Sequence, residues 1–210
     1  MSLRTTVTAL PEYEPFLLGG ERMPLGERPA RAVIDPATGE VLTTVADATA
    51  ADVDAAVAIA VEAHADRRWR GLAPLERARI LNRVADLIEE QLEELAVLET
   101  RDNGKPIERS RADTAMAART FRHFAGAPSR LGGTVVAVDG GGHHVYTVQE
   151  PVGPVAIILP WNFPIMTAAF KLAPALAAGC PVVAKPAEDT PLTLLRLGGI
   201  LAEAGVPAGP

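Results

Sequence analysis

The sequence predicts an α/β protein that contains part of a doubly wound, Rossmann-like sheet. Two apolar runs of strand length, residues 152–159 and 182–184, flank a helical stretch at residues 165–178. Parallel strands joined by a right-handed crossover point the same way, so both runs should end at one edge of the sheet. Open α/β folds bind ligands at the carboxyl ends of their strands, which makes that edge the expected place for a site.

The start of the chain is predicted to form short strands joined by tight turns. Residues 16–21 have the pattern of a strand that runs into a glycine turn. A second turn, at residues 35–40, contains proline and glycine and separates strands expected at 32–34 and 41–45.

Helices are predicted after these strands. Thr49 is a candidate N-cap because Asp52 follows three residues later, and helical spacing continues from there. A second helix is expected after Leu72, with a break near Gln91, and the Asn103-Gly104-Lys105-Pro106 segment should end it. Further helices are expected at residues 110–124 and 190–204.

Residues 133–150 predict a β-hairpin with a glycine-rich tip that projects from the body of the protein. An isolated two-stranded ribbon is only marginally stable, so this hairpin is a candidate for packing on another subunit. An edge hairpin of the same domain is the equally open alternative. The chain then divides into N-terminal strands and helices (1–132), the hairpin (133–150) and the first βαβα part of the doubly wound core (151–210), which is incomplete at its C-terminus.

Composition and charge exclude several classes of function. The net charge is −6 and no basic stripe is present, which argues against nucleic acid as a partner. No apolar run nears the roughly 20 residues that span a bilayer, and the N-terminus lacks the hydrophobic region of a secretory signal. The single cysteine, Cys180, fits a reducing compartment, so a cytoplasmic location is expected. The four histidines show no metal-ligand spacing, and no metal site is predicted.

The sheet predicted in residues 151–210 is incomplete. A doubly wound sheet needs more strands than the two found here, and an exposed apolar edge strand would be prone to aggregation. We therefore expect the chain to be the front part of a longer protein, or a truncated one.

Asn162, in the segment Pro160-Trp161-Asn162-Phe163-Pro164, is the first candidate site residue. Asn is favoured at helix N-caps, and Pro164 would then lie in the first turn. The functional alternative is a side-chain N–H that stabilises an oxygen as it becomes negative during a reaction.

Lys185 and Glu188 form the second candidate group, at the end of the second strand. In dinucleotide folds an acidic residue there binds the ribose hydroxyls, and Glu188 would repel an NADP 2′-phosphate. A surface pair flanking Pro186 is the alternative. The turn after the first strand contains prolines in place of the G-x-G-x-x-G fingerprint, so the pyrophosphate of a dinucleotide must be bound elsewhere.

The helix between the two strands carries further candidates. Phe163 and Phe170 share one face, where they could line an apolar channel, although core packing is the commoner explanation. Lys171 lies in the same apolar helix, and its charge either reaches the surface or serves the site. Cys180 precedes the second strand at the opposite edge from Asn162, and a buried structural thiol is the favoured interpretation.

Together these motifs resemble the NAD(P)-dependent aldehyde dehydrogenase superfamily. The specific segments are residues 160–164, 171–179 and 185–188. Residues 35–40, 103–106 and 150–153 also match stretches typical of that family, in the right order, so the resemblance covers nearly the whole chain.

The resemblance implies an oxidoreductase that oxidises an aldehyde to a carboxylate with NAD, through a thiohemiacetal and a thioester. It implies that Asn162 donates to the oxyanion, that Lys171 lies near the site, and that Phe163 and Phe170 border the aldehyde tunnel. The implied cofactor contacts are Ile158, Leu159, Pro160, Trp161, Lys185, Pro186, Ala187 and Glu188. The hairpin resembles part of the family's oligomerisation arm, which implies a homo-oligomer.

The chain departs from the family pattern in one respect. The nucleophilic cysteine and the general-base glutamate of the family lie beyond the equivalent of Pro210, and Cys180 does not match the nucleophile. We therefore expect this chain alone to be inactive. The alternatives are an acylating, coenzyme A-dependent dehydrogenase, or a non-catalytic fragment that binds a dinucleotide or caps an oligomer.

Overall fold

The structure, a computed structural model, describes residues 10–209. The N-terminal residues, in which we predicted no secretory signal, lie mostly outside this range. The strands are β1 (Leu17–Leu18), β2 (Glu21–Arg22), β3 (Ala30–Ile34), β4 (Val41–Ala46), β5 (Val135–Val136), β6 (Val145–Tyr146), β7 (Val155–Ile158) and β8 (Val182–Lys185). The helices are α1 (Ala50–Ala65), α2 (Pro74–Glu90), α3 (Leu92–Asn103), α4 (Ile107–Ala125), α5 (Pro164–Ala178) and α6 (Leu192–Glu203).

The predicted βαβ unit is present. Strands β7 and β8 pair in parallel, with Val155 opposite Val182 and Ile158 opposite Lys185, and α5 connects them. Strand β7 is shorter than predicted because Gly153 has φ = 120° and Pro154 cannot donate to a ladder. Among the described residues, β7 and β8 form a two-stranded sheet.

The N-terminal strands and the first helix follow their local sequence signals. Strands β3 and β4 pair antiparallel around the turn predicted at residues 35–40. Helix α1 begins with a complete capping box, in which Thr49 accepts from the Asp52 amide and the Asp52 carboxylate accepts from the Thr49 amide.

The break predicted near Gln91 separates α2 from α3. Helix α3 ends at Gly104, whose left-handed backbone (φ = 84°) favours glycine. A Cβ atom at this position would also lie 2.7 Å from the ring of Pro36, so the turn after α3 fits closely against the β3–β4 turn.

One apolar core joins the N-terminal helices to the βαβα unit. Its buried members come mainly from α2, α4, α5, α6 and β7, with Leu95 from α3, and they include Leu81, Phe121, Ile157, Ile165 and Leu197. Trp69 is fully buried in this core, and its indole N–H donates to the carbonyl oxygen of Leu176 at 2.9 Å. The βαβα unit therefore shares its core with helices that precede it by many residues.

The hairpin β5–β6 stands apart from this core. Its strands pair only with each other among the described residues, and every residue from 131 to 150 is exposed. Val135 and Tyr146 are 72% and 60% exposed, although both are apolar enough to favour burial. The hairpin thus projects as predicted.

None of the helices between residues 10 and 209 is both long and apolar enough to cross a bilayer. In the same part of the chain, no group of three or more His, Cys, Asp or Glu residues is arranged to hold a metal ion.

Candidate functional site

The two segments singled out in the sequence emerge at the same edge of the parallel pair. Because Ile158 lies opposite Lys185 in a parallel register, the loop that carries Asn162 and the loop that carries Glu188 both leave the sheet there. Trp161, Asn162, Lys185 and Glu188 are all exposed along this edge. We call this set of two loops, residues 159–163 and 185–190, the rim.

Asn162 is not a helix N-cap, so the structural interpretation of this residue is wrong. The N-cap of α5 is Phe163, which makes no side-chain capping bond, and Pro164 occupies the first position of the helix. Since Pro164 has no amide hydrogen, the first free donor of α5 is the amide of Ile165, which donates to Glu99 Oε2 at 3.3 Å. The side chain of Asn162 is left exposed on the rim.

The first rim loop is held in place through one of its backbone carbonyl groups and one of its aromatic rings. The carbonyl oxygen of Trp161 accepts from Asn103 Nδ2 at 2.6 Å and from the Thr190 hydroxyl at 3.3 Å. Lys105 Nζ lies 5.0 Å from the centre of the Phe163 ring, within the range of a cation–π contact. These contacts fix the residues on either side of Asn162.

Lys185 and Glu188 form an ion pair on the second rim loop. Lys185 Nζ donates to Glu188 Oε2 and to the carbonyl oxygen of Pro186, each at 3.1 Å. The pKa of Glu188 is lowered, chiefly by a bond from its own backbone amide and then by Lys185. Its carboxylate is therefore ionised and accessible at neutral pH. Pro186 and Ala187 are half-buried between the two charges.

Phe163 and Phe170 do not pack in the core, which contradicts the commoner expectation for their spacing. They are 40% and 44% exposed, and they lie on one face of α5 with Thr167 between them. The Thr167 hydroxyl donates to the carbonyl oxygen of Phe163 at 2.6 Å. Lys171 is also exposed, so its charge is in solvent. This face of α5 thus offers two aromatic rings and one ammonium group beside the rim.

Cys180 lies at the amino end of β8, away from the rim, and is 4% exposed. Its backbone amide donates to the carbonyl oxygen of Ala175 as the chain leaves α5. A buried thiol at the opposite edge of the sheet from Asn162 agrees with the structural role predicted for Cys180.

A buried charged cluster beneath the rim was missed from the sequence. Glu99 is fully buried, and its Oε1 accepts from Lys105 Nζ at 2.8 Å, while Asp113 Oδ2 accepts from the same ammonium at 2.9 Å. Glu99 Oε2 accepts from the hydroxyl of Thr193, at 2.8 Å, in the first turn of α6. Burial raises the pKa of Glu99, and Lys105 opposes that rise. Of this cluster, the sequence analysis had singled out only the segment that contains Lys105, residues 103–106, as a helix end and as a stretch that matches the family.

Asp102 lies next to this cluster and beside a cavity. Its Oδ2 accepts from the amide of Leu192 at 2.9 Å, and no partner within the described residues reaches its buried Oδ1. Burial raises the pKa of Asp102 to about 8. A cavity of about 310 Å³ separates β3 from the rim, and its lining includes Arg31, Val33, Asp102, Asn103, Trp161 and Glu188.

Comparisons with known proteins identify relatives over most of this chain. A sequence profile of the aldehyde dehydrogenase family matches residues 26–210. The chain is 46% identical over 195 residues to the aminoacetaldehyde dehydrogenase of Pseudomonas aeruginosa, and the matched region covers 92% of this chain and 39% of that protein. It is 47% identical over 180 residues to an aldehyde dehydrogenase of Enchytraeus buchholzi, which covers 85% of this chain and 36% of that protein.

Solved structures give the same result for the fold. The betaine aldehyde dehydrogenase of Staphylococcus aureus in complex with NAD+ matches with a TM-score of 0.90 at 37% identity, over 93% of this chain and 39% of that one. These matches confirm the predicted fold class, a partial Rossmann-like α/β domain. The chain spans between 33% and 39% of the length of the curated relatives that it matches.

Proposed function

The chain belongs to the aldehyde dehydrogenase family, and we propose that it supplies the cofactor rim and the oxyanion donor of an NAD-dependent enzyme. The observation that carries this proposal is the shared edge: Asn162 follows β7, Lys185 ends β8, Glu188 follows it, and the two strands run parallel. The proposed substrate is a small aldehyde, which the whole enzyme oxidises to a carboxylate.

The groups on the second rim loop fit the adenosine ribose of NAD. The Glu188 carboxylate is ionised and 57% exposed, so it can accept from two vicinal hydroxyls, and Lys185 can donate to the same sugar. A 2′-phosphate would meet the negative charge of Glu188, which favours NAD over NADP. The proposed remaining contacts are Ile158, Leu159, Pro160, Trp161, Pro186 and Ala187. Bound NAD would supply the hydride acceptor.

The pyrophosphate is expected to bind outside the first rim loop. That loop has Pro160 and Pro164 in place of a glycine turn, so it cannot offer closely spaced backbone amides. We therefore propose that this loop serves the substrate and the adjacent end of the cofactor, while the phosphates contact other residues.

The proposed role of Asn162 is to stabilise negative charge on the carbonyl oxygen of the aldehyde. Its side-chain amide is exposed and not engaged in capping, and fixed neighbours hold its backbone on both sides. A pre-oriented N–H donor of this kind contributes about 3 kcal/mol of transition-state stabilisation in other enzymes. Phe163 and Phe170 would border the path of the substrate, and Lys171 would add positive charge near it.

We further propose that these 210 residues do not turn over an aldehyde alone. Cys180 is buried on the far side of the sheet and no other thiol is present in the sequence. Whether the thioester is hydrolysed or passed to coenzyme A depends on residues other than those described. The exposed apolar hairpin fits a homo-oligomer arm, and both that role and the cytoplasmic location stay predictions.

Calorimetry with NAD tests the proposed function. We expect NAD to bind the chain and Glu188→Ala to weaken that binding by about tenfold, because the variant lacks one charged hydrogen-bond acceptor. NADP should bind less well than NAD, because its 2′-phosphate meets the negative charge of Glu188. Glu203→Ala, which removes an exposed carboxylate at the end of α6, is the matched control and should change nothing. If NAD binds equally well to the Glu188→Ala variant, the ribose assignment is wrong, and no binding at all would favour an inert fragment.

A further inference from the structure

Resting on the oxyanion role proposed for Asn162, we propose that Glu99, Asn103 and Lys105 are positioning residues, which hold the rim so that the Asn162 amide keeps one orientation. All three lie within residues 99–105, in the last turns of α3 and just after it. Asn103 and Lys105 contact the residues immediately before and after Asn162, and Glu99 accepts from the amide of Ile165 three residues later. They would act on the reaction through Asn162 and would not touch the substrate.

Asn103 fixes the residue that precedes Asn162. Its Nδ2 donates to the carbonyl oxygen of Trp161 at 2.6 Å, and the hydroxyl of Thr190 reaches the same oxygen at 3.3 Å. The peptide bond between Trp161 and Asn162 includes this carbonyl, so its plane is fixed from outside the loop. Because Phe163 on the other side is also held, by its contact with Lys105, few values of the backbone angles of Asn162 join the two fixed residues, and this limits the direction of its side chain.

Glu99 fixes the chain after Asn162 by acting as a cap for α5 from a different helix. Helix α5 has no side-chain cap of its own, and Glu99 accepts from the amide of Ile165 at its second position. A negative charge at a helix N-terminus also interacts favourably with the helix dipole. The same Oε2 accepts from Thr193 in α6, which follows the second rim loop. One carboxylate therefore ties together the helices that follow both rim loops.

Lys105 balances the charge of Glu99 and contacts the ring of Phe163. Its ammonium lies between Glu99 and Asp113, with a side chain only 10% exposed, and 5.0 Å from the Phe163 ring centre. Buried ion pairs contribute little net stability compared with apolar residues of the same size, and one of their attested uses is to fix a single arrangement. The rim beside Asn162 is the part of the chain that this cluster would fix.

The asparagine content of the chain allows a direct test. The sequence contains three asparagines, Asn82, Asn103 and Asn162, so 15N labelling of the asparagine side-chain amide gives three 15N signals in an NMR spectrum, each with a pair of proton cross-peaks. Asn82 lies in α2, away from the rim, and serves as an internal reference. Asn162→Asp and Asn103→Ala each remove one signal and thereby assign the set.

We expect Asn103→Ala, Glu99→Gln and Lys105→Met each to shift or broaden the Asn162 signal by more than its linewidth, while the Asn82 signal stays in place. Asn103→Gln, which keeps an amide donor, should restore part of the original position. The matched control is Glu94→Gln: Glu94 also lies on α3 and pairs with Arg196 of α6 at 2.6 Å, but it makes no contact with the rim. This control should leave the Asn162 signal unchanged.

The proposal is overturned if the Asn162 signal stays in place in all three variants, or if the Glu94→Gln control moves it as much. Should Glu99→Gln fail to fold, the Asn103→Ala variant still decides the question, because Asn103 is half-exposed and its replacement leaves the core intact. Titration of the labelled chain with NAD is a separate arm. If the Asn162 signal moves in Asn103→Ala but not on addition of NAD, the positioning role is supported and the proposed function is contradicted. If it moves on addition of NAD but not in Asn103→Ala, the proposed function is supported and the positioning role of Asn103 is contradicted.

Discussion

The buried carboxyl of Asp102 makes the stability of this chain depend on pH in a direction opposite to that of most acidic residues. Its side chain is 2% exposed, and burial raises its pKa to about 8 from an ordinary value of 3.8. Between these two values the folded chain holds a proton that the unfolded chain has released. The contribution of this proton to the free energy of unfolding is therefore fully present below about pH 4. It decreases as the pH rises from there and is lost once the pH has passed through about 8.

One such group changes the free energy of unfolding by about 1.4 kcal/mol per pH unit within that window. From pH 5 to pH 7, the wild-type chain should therefore lose about 3 kcal/mol relative to Asp102→Asn, which has no proton to release. The assay is urea unfolding at pH 5, 6 and 7, followed by circular dichroism. Comparison with the variant cancels the contributions of titrating groups that do not interact with Asp102; Glu99, whose charge acts on Asp102, is the exception.

The control is Asp139→Asn, which changes an exposed carboxyl at the tip of the hairpin. Its pH dependence should run parallel to that of the wild-type chain. If Asp102→Asn also runs parallel, Asp102 is ionised in the folded chain, and the reasoning from its burial is refuted. A cation or another donor beside Oδ1 would then have to be sought.

Other predictions concern stability and are checked by thermal or urea unfolding. Thr49→Ala removes the capping box of α1 and should lower the free energy of unfolding by about 1 kcal/mol. An unchanged unfolding midpoint would contradict the role of this cap. Phe121→Ala should cost about 4 kcal/mol because it empties a fully buried site. Glu99→Ala should cost about 3 kcal/mol, whereas Glu93→Ala, which breaks an exposed pair on the same helix, should cost less than about 1 kcal/mol. Val135→Lys, at a 72% exposed position of the hairpin, should change stability by less than about 0.5 kcal/mol.

Local sequence signals predicted most of the secondary structure because each depends on nearby residues. The capping box at Thr49, the break at Gln91 and the left-handed Gly104 all appear where the sequence places them. The parallel register of β7 and β8 was also accessible, since a crossover connection allows only a small set of arrangements.

The surroundings of Asn162 could not be predicted, because they depend on contacts between distant parts of the chain. Glu99 lies 66 positions before Ile165 and 94 before Thr193, and no local pattern reveals that one carboxylate serves both. For the same reason Asn162 was open to interpretation as a cap, a role that Glu99 in fact fills from another helix. Periodicity also favoured burial for Phe163 and Phe170, because it identifies a shared face but not what covers it.

The use of α3 as a common support has a practical consequence for anyone who would transplant the rim into a new scaffold. A segment excised from residue 151 onward would keep the strand–helix–strand order yet leave the amides of Ile165 and Leu192 without acceptors. The smallest unit that could be transferred therefore reaches back at least to Glu99. A design that keeps only residues 151–210 would lose both carboxylates that accept from the first turns of α5 and α6.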